Sequence, residues 1–432
     1  MPASAPPPLR DPHKPMSLTL FGTGGSAAVP DVACTTDPAH GCRCCLDTVG
    51  HPQSRNVRGN TGAVIRVPLE SGEEKTILID CGKTFREMAL KFFPEKGLRK
   101  IDACILTHHH ADAIDGLDDL RAWTYHSAVE QTIPLYCTKV TYLQIAQSFA
   151  YMVSKSAGSG GGAVPSFEWH IMPDDEDWDV CGVRITPFPL HHGIYFTEPP
   201  TPLLCLGFLI DQSVLYISDT SFIPEAQWTR LGSYLSLPSP SGAFPSPPRR
   251  RSLSLSRARS SASASPPLPR LQALIIDTGG ALRLSPSHFG LPQAIATARR
   301  LGVQRTYLTD LGHGVSHACW LDACRALSRG ERSPAPGEGR AGEAPAWKVR
   351  DEEEQQAPHA HVYEGLDPAG HVEDVELFVE RALEAVEEWA GGVRPREERL
   401  WVRPGFDGLT IEWEAAEGGT RVWDSEYQYD RE

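Results

Sequence analysis

Apolar residues along the chain fall into short runs with either strand-like or helix-like spacing. Three strand-like runs follow one another near the start: SLTLFGTGG, TGAVIRV and KTILIDCG. The run KIDACILTHHH is typical of a buried strand, and GLDDLRAWTYH then places Leu117, Leu120 and Trp123 at helical spacing. The first part of the chain is therefore predicted to be rich in strands, with three histidines at a strand-to-helix turn.

The second half repeats the order strand, helix, strand. GVRITPFPLHHG and CLGFLIDQSVLYISDTSF predict paired strands, while LQALIIDTGG, PQAIATARRLG and RTYLTDLGHG predict a strand, a helix and a strand. Near the C-terminus, one helical stripe is predicted to pack on the sheet as a surface helix, and it consists of Val375, Phe378, Val379, Ala382 and Val386. The whole pattern predicts a mixed α/β fold.

Low-complexity segments interrupt this order at about 155–166, 236–270 and 328–360. They are dominated by residues such as Gly, Ser, Pro and Arg, which bury too little apolar surface to offset the entropy of ordering. Regular strands resume after the breaks. We therefore predict a single domain over residues 17–425 with disordered insertions, preceded by a disordered N-terminus over residues 1–16.

Composition narrows the classes of partner. The 432 residues carry a formal net charge of -14, which disfavours strong nucleic-acid binding because phosphates attract Lys and Arg. No apolar run approaches the roughly 18 residues that a membrane span requires. We expect a cytoplasmic location without membrane attachment, with the nucleus open as an alternative, and the oligomeric state is left undetermined.

The segment ILTHHHADAIDGLDDL, residues 105–120, carries the main chemical signal. His108 and His110 lie two apart on an extended stretch and so face the same side, whereas His109 faces away. Asp112 continues the alternation. Polar side chains at the end of a buried strand need partners, and converging imidazoles and carboxylates are what a metal site requires.

This segment resembles the H-x-H-x-D-H signature of the metallo-β-lactamase superfamily. LIDCG and ACILT precede it, and FGTGG, PLHHG, LYISDTS, SPSHFGLPQA and RTYLTDLGHG follow the family's order over roughly residues 18–320. The pattern is most similar to the cyclic phosphodiesterases of phosphonate degradation and resembles the transfer-RNA 3′-end nucleases in part. The resemblance implies a four-layer αβ/βα sandwich.

The resemblance also implies two metal positions. Three imidazoles and a bridging carboxylate are implied for the first: His108, His110, His192 and Asp219. The second would combine Asp112 and Asp219 with two histidines, but this chain has Ala113 and Asp310 where those histidines would stand. The second position is therefore left with carboxylates alone.

This loss leaves three alternatives for the centre. Imidazoles suit zinc, whereas carboxylate-rich sites suit manganese or magnesium. The centre is a mononuclear zinc site, or a mixed pair with manganese or another hard divalent ion beside Asp112, Asp219 and Asp310, or the pocket of a binding protein that has lost the chemistry.

Two residues are expected to act in catalysis. Asp112 would orient or deprotonate a metal-activated water. His288 matches the position where relatives present a histidine near the leaving group, and an imidazole can protonate a departing alkoxide near neutral pH. Asp277 would orient His288. The alternative for His288 is a histidine at a helix start that binds a loop carbonyl.

A second metal site is predicted after the first strand. The spacing Cys42-x-x-Cys45 suits two thiolates on one tetrahedral zinc, and Cys34 is a candidate third ligand. The resemblance implies His313 as the fourth. A loop with reduced, inert thiols is the alternative.

The predicted function is hydrolysis of a small or cyclic phosphodiester by a metal-activated water. A thioester hydrolase of the same fold and a catalytically inactive metal-binding or scaffold protein are the alternatives. Zinc is the expected metal.

Overall fold

The computed structural model describes residues 9–158, 164–238, 268–332, 375–389, 400–416 and 419–427. Most of the predicted insertions and the first eight residues lie outside these ranges, so the proposed disorder and the domain limits stay predictions. Among the described residues, no helix combines the length and hydropathy that a bilayer-spanning segment needs.

The described residues form strands that are numbered along the chain as β1 (Met16–Gly22), β2 (Gly62–Pro68), β3 (Glu74–Ile79), β4 (Ala103–Ile105), β5 (Ile133–Cys137), β6 (Phe167–Ile171), β7 (Trp178–Val180), β8 (Val183–Tyr195), β9 (Thr201–Ile210), β10 (Val214–Ile217), β11 (Ala273–Asp277), β12 (Arg305–Thr309), β13 (Val402–Pro404), β14 (Thr410–Ala416) and β15 (Gly419–Asp424). The first sheet has the order β15-β14-β1-β2-β3-β4-β5-β6 and the second β13-β12-β11-β10-β9-β8-β7.

The helices are α1 (Val32–Thr36), α2 (Arg43–Gly50), α3 (Phe85–Glu95), α4 (Ala111–Ile114), α5 (Arg121–Thr124), α6 (Lys139–Ser148), α7 (Ala150–Val153), α8 (Glu225–Tyr234), α9 (Leu291–Leu301), α10 (His317–Arg329) and α11 (Val375–Trp389). Short 3₁₀ helices cover Leu117–Leu120, Tyr125–Ser127 and Lys155–Ala157.

The central strands are apolar on both faces, which explains their continuous hydrophobic runs. In β3, Ile77 and Ile79 pack between the two sheets, whereas Leu78 faces the layer that contains α3. In β11, Ile275 faces the inner core and Leu274 faces the layer of α8 to α11. Helices therefore cover both outer faces, which confirms the predicted four-layer sandwich.

Two predicted helices differ from expectation. The predicted helix in GLDDLRAWTYH forms a 3₁₀ turn, Leu117–Leu120, then the short α5 and a second 3₁₀ turn, Tyr125–Ser127. Gly116 precedes the first turn, and its N–H donates to the Cys81 carbonyl at 2.9 Å while its Cβ would lie 2.2 Å from the Gly82 carbonyl oxygen. The predicted C-terminal stripe forms α11, but it packs on α9 and α10 through contacts such as Phe378 on Trp320 rather than directly on the sheet.

The topology brings the polar strand ends together. Strands β10 to β13 are parallel, as are β3 to β6, so each group presents its C-terminal ends along one edge. A backbone hydrogen bond from Leu206 N–H to the Thr107 carbonyl, 3.0 Å, joins the two sheets beside the histidine segment. The polar residues after β4, β10, β11 and β12 consequently form overlapping clusters whose ligand atoms lie within 4.8 Å of one another.

Candidate metal centre

Three imidazoles meet at this edge. Nitrogen atoms of His108, His110 and His192 all lie within 4.8 Å of one another. His108 and His110 follow β4, and His192 comes from the far end of β8, where the pairing with β9 shifts register. The closest approach, 3.0 Å, joins His192 Nε2 and His110 Nδ1.

A buried relay orients His108. Its Nδ1–H donates to Thr107 Oγ1 at 2.9 Å, and the Thr107 hydroxyl donates to Asp80 Oδ2 at 2.8 Å. This arrangement leaves the lone pair on Nε2 directed into the cluster, and that buried atom has no hydrogen-bond partner among the described residues. A histidine whose second nitrogen is anchored in this way is the usual form of a metal ligand.

The other two imidazoles support the same interpretation. His192 Nδ1–H donates to the Ser287 carbonyl at 2.7 Å, which leaves its Nε2 lone pair facing His110. Burial lowers the pKa of His108 well below its usual range, and burial together with His192 lowers the pKa of His110 to about 4. The rings of His108 and His110 are therefore available in the neutral form that binds metals, and the donor set of three imidazoles fits zinc.

Carboxylates flank the imidazoles unequally. Asp219 is buried and lies within 4.8 Å of His192 and His288. Asp112 belongs to none of the candidate metal clusters among the described residues, although its buried Oδ1 has no hydrogen-bond partner there. Burial and the charge of Asp219 raise the pKa of Asp112 to about 6. The structure thus brings Asp219, and not Asp112, to the predicted ligand set.

His288 lies among carboxylates on the far side of His192. Its Nδ1 is 2.8 Å from Asp310 Oδ2 and 3.2 Å from Asp277 Oδ2. Burial alone would lower the pKa of His288, but the two carboxylates outweigh it and raise the pKa above its usual value. The Nδ1 of His288 therefore contacts carboxylates and not the loop carbonyl of the alternative interpretation. Asp310 contacts this imidazole rather than the other predicted ligands of a second metal.

A separate cluster lies at the start of the chain. One ligand atom from each of Cys34, Cys42, Cys45 and His313 lies within 4.8 Å of the others. His313 Nδ1 is 3.4 Å from Cys34 Sγ and 3.6 Å from Cys42 Sγ. A hydrogen bond from Cys45 lowers the pKa of Cys42 to about 4. This set of three sulfurs and one nitrogen fits a structural zinc site.

The family model described as "Beta-lactamase superfamily domain" matches residues 75–310, which is more than half of the chain. The chain belongs to the metallo-β-lactamase superfamily. The match includes both halves of the candidate centre, from the histidine segment to Asp310, and confirms the family predicted from the signature.

The individual proteins that match this superfamily member have low sequence identity to it. An octanoyltransferase of Porphyromonas gingivalis is 29% identical over 178 residues, which are 41% of this chain and 31% of that protein. The chain thus matches about a third of that protein's length. Among solved structures, a diphosphatase of the PhnP family is 25% identical with a TM-score of 0.48, covering 70% of this chain and 89% of that one. Unliganded yeast PDE1 is 10% identical with a TM-score of 0.44, covering 91% and 98%.

Two supporting residues of this metallo-β-lactamase fold were not singled out from the sequence. Asp80 lies at the end of β3, as an acid after an apolar run, and that position is a recognisable signal. Arg58 gave no such signal. The residue is 1% exposed, and its guanidinium donates to the carbonyls of Leu311, Gly312 and Val315, so it holds the loop that carries His313.

We expect Thr107→Val to weaken zinc binding at the three imidazoles by about 10- to 100-fold, because the buried His108 Nδ1–H loses its acceptor. Competition with a chromophoric chelator measures the affinity. Thr306→Val is the matched control, since the Thr306 hydroxyl is also buried but has no hydrogen-bond partner among the described residues. Equal zinc affinities in the two variants would contradict the relay.

Proposed function

We propose that this chain is a metal-dependent hydrolase whose substrate is a small phosphodiester. The observation that carries the proposal is the buried Nε2 of His108, which lies beside two further imidazoles and has no hydrogen-bond partner in the part of the chain that the structure describes. His108, His110 and His192 would hold the metal. A divalent cation supplies hydroxide at neutral pH by lowering the pKa of a coordinated water from 15.7 to about 7.

The chain's own residues would handle the protons. Asp112, with its pKa raised to about 6, is ionised at pH 7 yet basic enough to orient a water molecule or accept a proton from it. His288 keeps a proton on Nδ1 through Asp310 and Asp277, and its side chain is 24% exposed, so a substrate can reach it. The second proton of the charged ring, on Nε2, would go to the departing oxygen, while Nδ1 keeps its own.

A proton donor favours an oxygen leaving group. An alkoxide is a strong base and needs protonation as it departs, whereas a thiolate, from a thiol of pKa about 8.5, leaves more easily without it. His288 therefore supports a phosphodiester over a thioester. The net charge of -14 supports a small substrate over a nucleic-acid polymer.

A thioester hydrolase is the second candidate, because exposed apolar side chains lie beside the centre. Ile194 follows His192 by two residues, and Phe222 packs its ring against His191 at 5.4 Å between centroids. Phe196 is 99% exposed. An acyl chain would find apolar contacts on these residues.

Turnover assays separate the candidates. We expect the purified chain to hydrolyse bis-p-nitrophenyl phosphate with zinc added, to lose that activity with a chelator, and to hydrolyse an octanoyl thioester more slowly. Manganese is tested in parallel. Thioester turnover without phosphodiester turnover would replace the first candidate by the second, and no turnover with either metal would support the inactive binding protein.

A further inference from the structure

Three buried carboxylates surround a single atom of this molecule, the Nδ1 of His288. Asp310 Oδ2 lies at 2.8 Å, Asp277 Oδ2 at 3.2 Å and Asp219 Oδ1 at 3.9 Å. The three acids are at most 5% exposed. Carboxylates gathered in this way repel one another unless a cation or a hydrogen-bond donor lies between them.

The two nearest acids depend on the imidazole to different degrees. Asp277 also accepts backbone N–H groups, from Thr220 and Gly279 at 2.7 Å each. Asp310, in contrast, makes its side-chain contact with His288 among the described residues, and a buried carboxylate without a counter-charge is strongly destabilising. His288 is therefore the group that makes Asp310 tolerable in the interior.

Two glycines allow the backbone to pack closely against Asp310 and His288. A Cβ added to Gly279 would lie 2.1 Å from Asp310 Oδ2 and 3.0 Å from the His288 ring, and one added to Gly25 would lie 2.9 Å from Asp310 Oδ1. At both glycines the backbone thus lies too close to Asp310 for a Cβ to fit unless the neighbouring atoms shift. The imidazole fills the space between the carboxylates.

The second metal position of the superfamily does not fit these residues. Ala113 offers no donor atom, and Asp112 lies outside the candidate clusters of the described residues. Asp310, which stands in place of the second missing histidine, already binds His288. Asp277, His288 and Asp310 have ligand atoms within 4.8 Å of one another, but for a cation to bind among them the 2.8 Å contact between His288 Nδ1 and Asp310 Oδ2 would have to open.

We propose that the imidazole of His288 occupies the position of the second cation. The centre then holds one metal ion, and Asp310 positions His288 instead of binding metal. This inference rests on the proposed function only in requiring that the three imidazoles hold a metal. It decides among the alternatives left open by the sequence in favour of a mononuclear centre.

Counting metal ions tests the stoichiometry. Elemental analysis is performed on protein that has been incubated with zinc and manganese and then freed of excess metal. His110→Ala is expected to lose one equivalent relative to the unaltered chain, and Asp310→Asn is expected to lose none. A loss of two equivalents in His110→Ala, or of one in Asp310→Asn, would overturn the proposal.

Removing the imidazole tests whether His288 occupies the second cation position. His288→Ala leaves Asp219, Asp277 and Asp310 without their shared partner, and oxygen-rich sites suit manganese. We expect this variant to bind one additional Mn²⁺ per chain, seen as loss of the free Mn²⁺ electron paramagnetic resonance signal. His191→Ala, the matched control, should bind none, because its side chain packs on Phe222 and belongs to none of the candidate clusters in the described part of the chain.

The outcomes separate this inference from the proposed function. Circular dichroism checks that the His288→Ala chain folds. If the folded variant gains no Mn²⁺, His288 does not occupy the second cation position. If the variant does not fold, the counts on the unaltered chain and on Asp310→Asn still decide the stoichiometry. A chain with one ion at the centre that hydrolyses neither ester would refute the proposed function and leave this inference standing.

Discussion

Replacing His110 by alanine is expected to lower phosphodiester turnover by about a thousand-fold or more and to remove the metal ion of the centre. His110 is one of three imidazoles whose nitrogens lie within 4.8 Å of one another, and its Nδ1 is 3.0 Å from His192 Nε2. A metal that activates water lowers the activation barrier by several kcal/mol, and each 1.36 kcal/mol taken off the barrier raises the rate tenfold. Initial rates and elemental analysis on the same preparation measure both effects.

His109→Ala is the control for that experiment. His109 is the neighbouring imidazole, but its ring stacks on Tyr195 at 6.2 Å between centroids, and it belongs to none of the candidate clusters among the described residues. We expect it to retain the metal and most of the activity. Unchanged zinc content and turnover in His110→Ala would end the case for a metal centre at these residues.

The double substitution Cys42→Ser with Cys45→Ser is expected to release one zinc ion and to lower the melting temperature on the order of 10 °C. Metal binding to such a cluster contributes directly to folding stability, and a loss of about 5 kcal/mol corresponds to a shift of this size. The effect should extend to catalysis, because His313 is three residues from Asp310 on the same loop. Elemental analysis, thermal unfolding and turnover are measured together.

The matched control replaces two other buried thiols, Cys44 and Cys319, by serine. It introduces the same number of buried hydroxyls but leaves the ligand cluster intact. Zinc content should stay at the level of the unaltered chain. If both double variants lose equal stability and neither loses zinc, Cys42 and Cys45 are ordinary core cysteines rather than ligands.

Much of the architecture could be predicted from local pattern. Strands such as β3 and β11 bury both faces, so their apolar runs are continuous and easy to recognise. The 3₁₀ turn that replaces the start of the predicted helix at 117–120 could not be predicted, because Gly116 before it packs against the backbone of Cys81 and Gly82, which lie more than thirty positions earlier. Local spacing contains no information about such a contact.

The candidate site divides in the same way. Alternation along an extended segment indicated that His108 and His110 face one side, and the structure places their nitrogens in one cluster with His192. The relay from Asp80 through Thr107 and the anchoring of the 311–315 loop by Arg58 depend on contacts between distant strands and loops. Neither has a motif of its own.

The sequence by itself determined the superfamily and the sheet-forming runs and predicted the three imidazoles of the candidate centre, because these depend on residue type and on spacing along the chain. Only the tertiary structure showed which side chain Asp310 contacts. The chain order suggested a metal ligand, whereas the fold brings His288 from the loop after β11 to 2.8 Å from that carboxylate. A buried acid takes the nearest cation or donor that packing supplies, and packing is a property of the folded chain.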